Sequence, residues 1–347
     1  MATPNPLEKT HGSSHPSSIS KQTYHIAGIL TTVYGLDELS RDTQEVACLW
    51  LLHPRLQTQE CMAPVAARTI IQWNNRIRDG RAGPSPKGLI AVGFDQRNHG
   101  SRQVDKVANE AWRGGNPRHA QDMFSIYHGT AVDTSHLLSY LPAYLPLHLT
   151  VTTHLALGIS LGGHSVWHCL LSDPRITTGV VVIGCPDYAR LMQHRAEKSR
   201  LHSWTSSSPP GSRFIGSADF PPALVESVGQ FDPAGLLLPL PNPNHTQDGD
   251  RDTALKQTLL KERLGGKRLL NMSGGADKLV PYSCGVPFLD YLKNEISRTG
   301  CCELEDIVFD GAGHEMTAAM AEKAVAFVCD SLNGEGGPNT SAKTCKI

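Results

Sequence analysis

The chain has 347 residues, 39% hydrophobic and 19% charged, ordinary values for a globular enzyme built as one large domain with an insertion or as two small ones. Its net charge of −1, from 32 basic and 33 acidic residues, exerts no bulk pull toward nucleic acid or anionic membranes. No continuous apolar run approaches the ~18 residues needed to span a bilayer.

Taken in chain order, residues 1–20 are rich in Pro, Ser and His and hold no apolar segment, so they read as a disordered leader and not as a signal peptide. An early strand is expected over residues 24–34 and another over 46–53. A helix follows Pro64, with Val65, Ile70, Ile71 and Trp73 among its apolar residues, and closes before Gly80. Residues 89–94 form a strand, 120–140 a long helix, and 151–159 and 177–184 two further strands. This alternation of strand and helix predicts a mostly parallel sheet. The pattern then breaks. Residues 186–254 hold amphipathic pieces (188–201 and 223–230) among Pro209-Pro210, Pro221-Pro222 and the proline-rich stretch 239–244. Alternation resumes at Arg268, and a last helix covers residues 316–332. The domain reading is therefore a core over 21–185, an insertion over 186–256, a second core part over 257–332 and a flexible tail over 333–347. No internal repeat is visible.

The chemistry begins where the strand 151–159 runs into Gly158-Ile159-Ser160-Leu161-Gly162-Gly163-His164. A Gly-x-Ser-x-Gly segment between a strand and a helix makes a sharp turn that leaves the serine oxygen standing alone. The flanking glycines tolerate that turn because a Cβ there would collide. Here the apolar lead-in and the helical periodicity from Ser165 onward supply the required context, which makes Ser160 the candidate nucleophile. Downstream, Asp277 lies in the loop after the apolar start Leu269-Leu270. His314 follows the strand at 307–310 and a Gly311-Ala312-Gly313 turn. His314 is the candidate base, which takes the serine proton and delivers it to the leaving group. Asp277 holds its tautomer and stabilises the imidazolium. A loop Asp is commonly a turn former, and a His after Gly-x-Gly commonly a turn residue. The order Ser, acid, His, each beyond the end of a strand, is what sets these three apart.

On these motifs the sequence resembles the α/β-hydrolase superfamily, in its esterase/lipase-type branch, over roughly residues 24–332. The resemblance implies an α/β fold, a mostly parallel eight-stranded-type sheet flanked by helices, with a helical cap over the site at residues 186–256. It also implies a structural role for Asp95 and Arg97 in Phe94-Asp95-Gln96-Arg97-Asn98-His99-Gly100, bracing loops under the site. His99 does not fit the chain position of the base. Family members place His-Gly after an early strand, and the next residue donates an N–H to the reaction's oxyanion. Here His53 is followed by Pro54, which has fixed φ and no N–H, so the donors would be the backbone N–H groups of Arg55 and Leu161. The Arg55 side chain would face the pocket mouth and favour a carboxylate or polar acyl group. Pro54 also leaves room for a poor or differently built oxyanion hole.

His164 and His168 are spaced i, i+4, but no Glu follows His164 and no third ligand is evident, so no metal and no cofactor are expected. Cap aromatics (Trp204, Phe214, Phe220, Phe231) serve either an apolar pocket or simple packing. Nine cysteines without Cys-x-x-Cys spacing suit a reducing, cytoplasmic compartment, with Cys301-Cys302 incidental. Cys345-Lys346-Ile347 resembles a degenerate Ser-Lys-Leu peroxisomal tripeptide. The reading is a serine hydrolase cleaving a small-molecule carboxylic ester through an acyl-enzyme. Its alternatives are a thioesterase or acyltransferase, a peptidase, and a non-catalytic ligand-binding protein of the same fold. No nucleic-acid partner is expected. The oligomeric state is open, with a homodimer as one option.

Overall fold

In the computed structural model of the protein, the described residues are 5–8, 18–238 and 249–334. Where one strand is expected over 24–34 there are two, β1 (Lys21–Ile26) and β2 (Ile29–Tyr34). Ala27 and Gly28 both take positive φ (49° and 79°), and this turn folds the two halves into an antiparallel hairpin. There follow β3 (Glu45–Leu52), α1 (Ala63–Arg78), β4 (Gly88–Phe94), α2 (His119–Tyr140), β5 (Thr150–Ile159), α3 (Leu161–Ser172) and β6 (Ile176–Val182). The insertion carries α4 (Tyr188–Ser199), α5 (His202–Thr205), α6 (Pro222–Phe231) and α7 (Pro233–Leu237). Helix α8 (Gly249–Leu264) runs across residue 256, so the return to the core lies within a helix. The chain closes with β7 (Arg268–Gly274), α9 (Tyr282–Thr299), β8 (Glu303–Phe309) and α10 (Ala318–Gly334).

The strands form one sheet in the order β1-β2-β4-β3-β5-β6-β7-β8. From β4 to β8 all neighbours are parallel; β1 and β2 are antiparallel. This is the mostly parallel, eight-stranded α/β-hydrolase architecture. Strand β3 explains why the sheet sits between two helical layers. Every residue of it after Glu45 is apolar and buried, as a strand covered on both faces requires. Val46, Cys48, Trp50 and Leu52 point to a layer supplied by α2, α3, α8 and α9. Ala47, Leu49 and Leu51 point to the opposite layer, built by α1 and α10. Because β5, β7 and β8 run parallel, the segments that follow them emerge at one edge of the sheet. In open α/β sheets that edge is where ligands bind.

Residues 5–8 fall inside the segment expected to be a disordered leader, yet they form a turn. The Glu8 N–H donates to the Asn5 carbonyl at 3.1 Å, and the Met316 N–H donates to the Pro6 carbonyl at 2.8 Å. Leu7 is buried in the layer of α1 and α10. Burying a leucine contributes roughly 2 kcal/mol, enough to dock a short polar segment. The stretch 239–244 and the tail with Cys345-Lys346-Ile347 lie outside the described residues. Among the described residues no helix is long and apolar enough to cross a membrane.

Candidate active site

Ser160 sits between β5 and α3 with φ 54° and ψ −111°, a conformation strained for an L-residue. Hydrogen bonds hold the strain in place: the Ser160 N–H donates to Val182 O at 2.9 Å, and the His164 N–H to Ser160 O at 3.0 Å. The flanking glycines are required by close approach. A Cβ on Gly162 would fall onto the Leu52 carbonyl, and one on Gly158 would fall onto the carbonyl of Gly162. The turn therefore presses directly against the end of β3.

Asp277 and His314 are brought together by the loops after β7 and β8. The Gly275 N–H donates to Phe309 O at 2.9 Å, and the Ala276 N–H to Ala312 O at 2.8 Å. Gly274 lets the loops approach, since a Cβ there would meet the Ala312 carbonyl at 2.6 Å. His314 Nδ1 lies 2.8 Å from Asp277 Oδ2, and His314 Nε2 lies 2.8 Å from Ser160 Oγ. Asp277 Oδ1 accepts the N–H groups of Leu279 at 2.8 Å and Val280 at 3.0 Å. Burial pushes the Asp277 carboxyl up, but the His314 hydrogen bond and charge and the two N–H donors outweigh it and pull it below the ordinary value. With Asp277 ionised, His314 Nδ1–H is the donor to it, and Nε2 is left to accept the Ser160 hydroxyl proton.

The loop after β3 carries Pro54 after His53, where the resemblance implied His-Gly. His53 is fully buried, and burial first, then the neighbouring His99, pulls its pKa to about 4, so the ring is neutral. Its Nδ1–H donates to Pro54 O at 2.8 Å, and its Nε2 accepts the Gln96 N–H at 2.9 Å. The side chain thus pins the Pro54 loop to the end of β4. Arg55 follows, its Nη1 donating to Asn109 O at 2.6 Å. Arg55 and Leu161 line the same cavity as Ser160, His314 and Asp277, which encloses about 710 Å³.

Other sequence candidates lie elsewhere. His99 Nδ1 bonds Arg97 O at 2.9 Å and its ring packs on His53 at 5.4 Å. Asp95 accepts the N–H groups of Gln59 and Ser101, at 2.9 and 2.8 Å, and Arg97 forks onto Asp133 at 3.0 and 2.9 Å. Asp95 thus ties two loops together as the resemblance implied, whereas Arg97 ties its loop to helix α2. His164 Nδ1 accepts the Cys185 N–H at 2.8 Å, and among the described residues no three His, Cys, Asp or Glu side chains gather to hold a metal.

The structure also adds residues that were not singled out in the sequence. Arg195 of α4 enters the cavity beside His119 and Met123 of α2. The sequence does hold a signal for it. The buried face of α4 runs Tyr188, Leu191, Met192 and Ala196, and Arg195 falls on that stripe, four residues after Leu191. A charge on an apolar stripe is a charge with a buried task.

No protein-family model matches the sequence, and no curated protein matches it. Solved structures do match. TT1662 from Thermus thermophilus is similar with a TM-score of 0.52 at 17% identity, over 90% of this chain and 98% of that one. Pyrococcus horikoshii acylaminoacyl peptidase is similar with a TM-score of 0.51 at 10% identity, over 95% of this chain and 43% of the peptidase. At such identities the likeness is one of fold.

Proposed function

We propose that this α/β-hydrolase-fold chain is a serine hydrolase that cleaves a carboxylic ester through an acyl-enzyme. The observation that carries the reading is the unbroken relay from Ser160 Oγ to His314 Nε2 and from His314 Nδ1 to Asp277 Oδ2, 2.8 Å at each step. In this reading Ser160 Oγ attacks the acyl carbon while His314 Nε2 takes its proton. Asp277 stabilises the imidazolium that forms. The N–H groups of Leu161 and Arg55 receive the oxyanion of the tetrahedral intermediate. His314 then protonates the leaving alcohol, and water repeats the sequence on the acyl-enzyme.

The insertion from α4 to α7 is the cap, and α4 supports that role by sending His194, Arg195 and Lys198 into the cavity. A roof over Ser160 excludes water from acyl transfer and shapes the substrate pocket. The eight described cysteines are all free thiols, which supports the reducing, cytoplasmic setting.

Intact mass after incubation with a fluorophosphonate, beside Ser160→Ala, tests the reading. One adduct on the wild type and none on the variant is the expected result, followed by turnover on an ester and thioester panel that includes an acylaminoacyl substrate. A well-folded wild type that takes no adduct would transfer the case to a ligand-binding protein without turnover.

A further inference from the structure

The wall around Ser160 is basic far beyond what ester hydrolysis needs. Resting on the hydrolase reading above, we propose that the substrate is an ester carrying its own oxyanion, a carboxylate or a phosphate, which the Arg195 guanidinium binds on the cavity wall it shares with Arg55.

Arg195 is half-buried in the cavity, and its partners are all neutral. Its Nη1 donates to His119 Nε2 at 3.1 Å and Met123 Sδ at 2.8 Å, and its Nη2 to Leu279 O at 3.4 Å. His119 can accept because burial, then the charges of Arg195 and Arg55, holds its pKa well down, while its Nδ1–H donates to Glu110 O at 2.8 Å. A half-buried cation is commonly paired with a carboxylate, but the nearest ones are engaged elsewhere, Asp187 with Arg190 and Asp277 with His314, and among the described residues Arg195 forms no ion pair. Arg55 shares the cavity. Burial and the Arg195 charge pull its pKa to about 10, against the opposing charge of Glu110. The two like charges repel each other, and an anion bound at Arg195 would relieve that repulsion.

The rim repeats the sign. Arg113, Lys198 and Lys278 are exposed at the mouth. Among the described lining residues the carboxylate is Asp277, and it is turned onto His314. A concave site lined by one sign of charge focuses its field and draws in the opposite ion. Arg195 also ties α4 to α2 and to the loop after β7. Neutral acceptors would be served equally by a neutral donor, so that tie alone leaves the full charge unexplained.

The test compares kcat/KM of the full chain for mono-p-nitrophenyl adipate and for its neutral counterpart, p-nitrophenyl hexanoate. The adipate ester should be preferred by about 10-fold or more, the worth of a charge-assisted hydrogen bond. Arg195→Gln should reduce that preference about 10- to 100-fold, and Arg195→Lys should restore part of it. If Arg195→Gln does not fold, the wild-type preference and its loss in high salt decide. Free adipate and inorganic phosphate, titrated calorimetrically into Ser160→Ala, separate the two anion sources; binding of either one supports the proposal. Good turnover of the neutral ester with no preference for adipate would overturn the proposal and leave the hydrolase reading intact. Anion binding without turnover of either ester would keep the anion site at Arg195 but overturn the ester substrate together with the hydrolase reading. Neither binding nor turnover would overturn both.

Discussion

Gly162→Ala probes the contact between the Ser160 turn and the Pro54-Arg55 loop, the proposed nucleophile and oxyanion segments. Gly162 backs onto the end of β3, and an added Cβ would stand 2.5 Å from the Leu52 carbonyl carbon and 2.9 Å from the Leu52 Cβ. Ordinary contact begins at 3.4 Å, so the two segments must part by about 0.9 Å or more. The atom met is backbone in a fully buried strand, which cannot swing aside as a flexible side chain would. The separation therefore passes to what each segment carries: Ser160 and Leu161 N–H on one side, and the Pro54-Arg55 turn on the other. A misplacement of about 1 Å at a reacting centre costs roughly 10²-fold, and loss of one oxyanion donor costs about 10²–10³. Gly162→Ala should thus lower kcat by about 10²-fold or more, with a stability loss of about 1–3 kcal/mol from overpacking. The assay is kcat on the best ester of the panel, read beside thermal unfolding. Gly93→Ala is the control, because a Cβ there meets nothing nearer than 3.7 Å. Near wild-type kcat in a folded Gly162→Ala protein would refute the claim that this contact sets the donor geometry.

Ser160→Ala and His314→Ala should each remove nearly all turnover, and the double variant should lose little more, because the two act as a unit; additive losses in kcat would break that assignment. Asp277→Asn should keep the fold but lower kcat by about 10³–10⁴, since an amide N–H facing His314 Nδ1 imposes the wrong tautomer. Full activity in that variant would exclude Asp277 as the orienting acid. Asp173 tests the electrostatics away from the site. Burial pushes its carboxyl up, but hydrogen bonds from Arg175 and Ser135 dominate and pull it down to about 2. A folded pKa below the unfolded value stabilises above the unfolded pKa and is lost as pH falls through the folded one. The melting-temperature deficit of Asp173→Asn should therefore be full at pH 7 and shrink between about pH 5 and pH 2. A deficit independent of pH would show that packing, not charge, is at stake.

The parts of the fold that were legible in the sequence are those set by neighbours in the chain. Strand β3 declared its double burial by an unbroken apolar run. Gly158 and Gly162 declared the turn around Ser160 as a local motif, although the backbone that requires Gly162 is the distant Leu52 carbonyl of β3. The hairpin of β1 and β2 was hidden, since residues 24–34 carry strand character on both sides of Ala27-Gly28 and the break is a matter of φ. The turn at residues 5–8 was hidden for another reason: Leu7 finds its partners on α1 and α10, and nothing in a polar leader predicts them.

The charge of the cavity was the least legible feature, and its origin shows why. Arg55 follows β3, Arg113 lies in the connection before α2, Arg195 and Lys198 are on α4, and Lys278 follows β7. No two of these segments are adjacent in sequence, and the whole chain sums to a charge of −1, so neither a linear run nor a net balance reveals them. What was readable was a conflict. On α4 the apolar stripe predicts burial at position 195, while the residue type predicts solvent. Such a conflict between local pattern and residue type marks either an error in the helix or a site with a ligand. The helix is real, and Arg195 ends on it in a cavity with Ser160. Under the proposal the conflict passes to the ligand, which supplies the negative charge that the described residues around Arg195 do not.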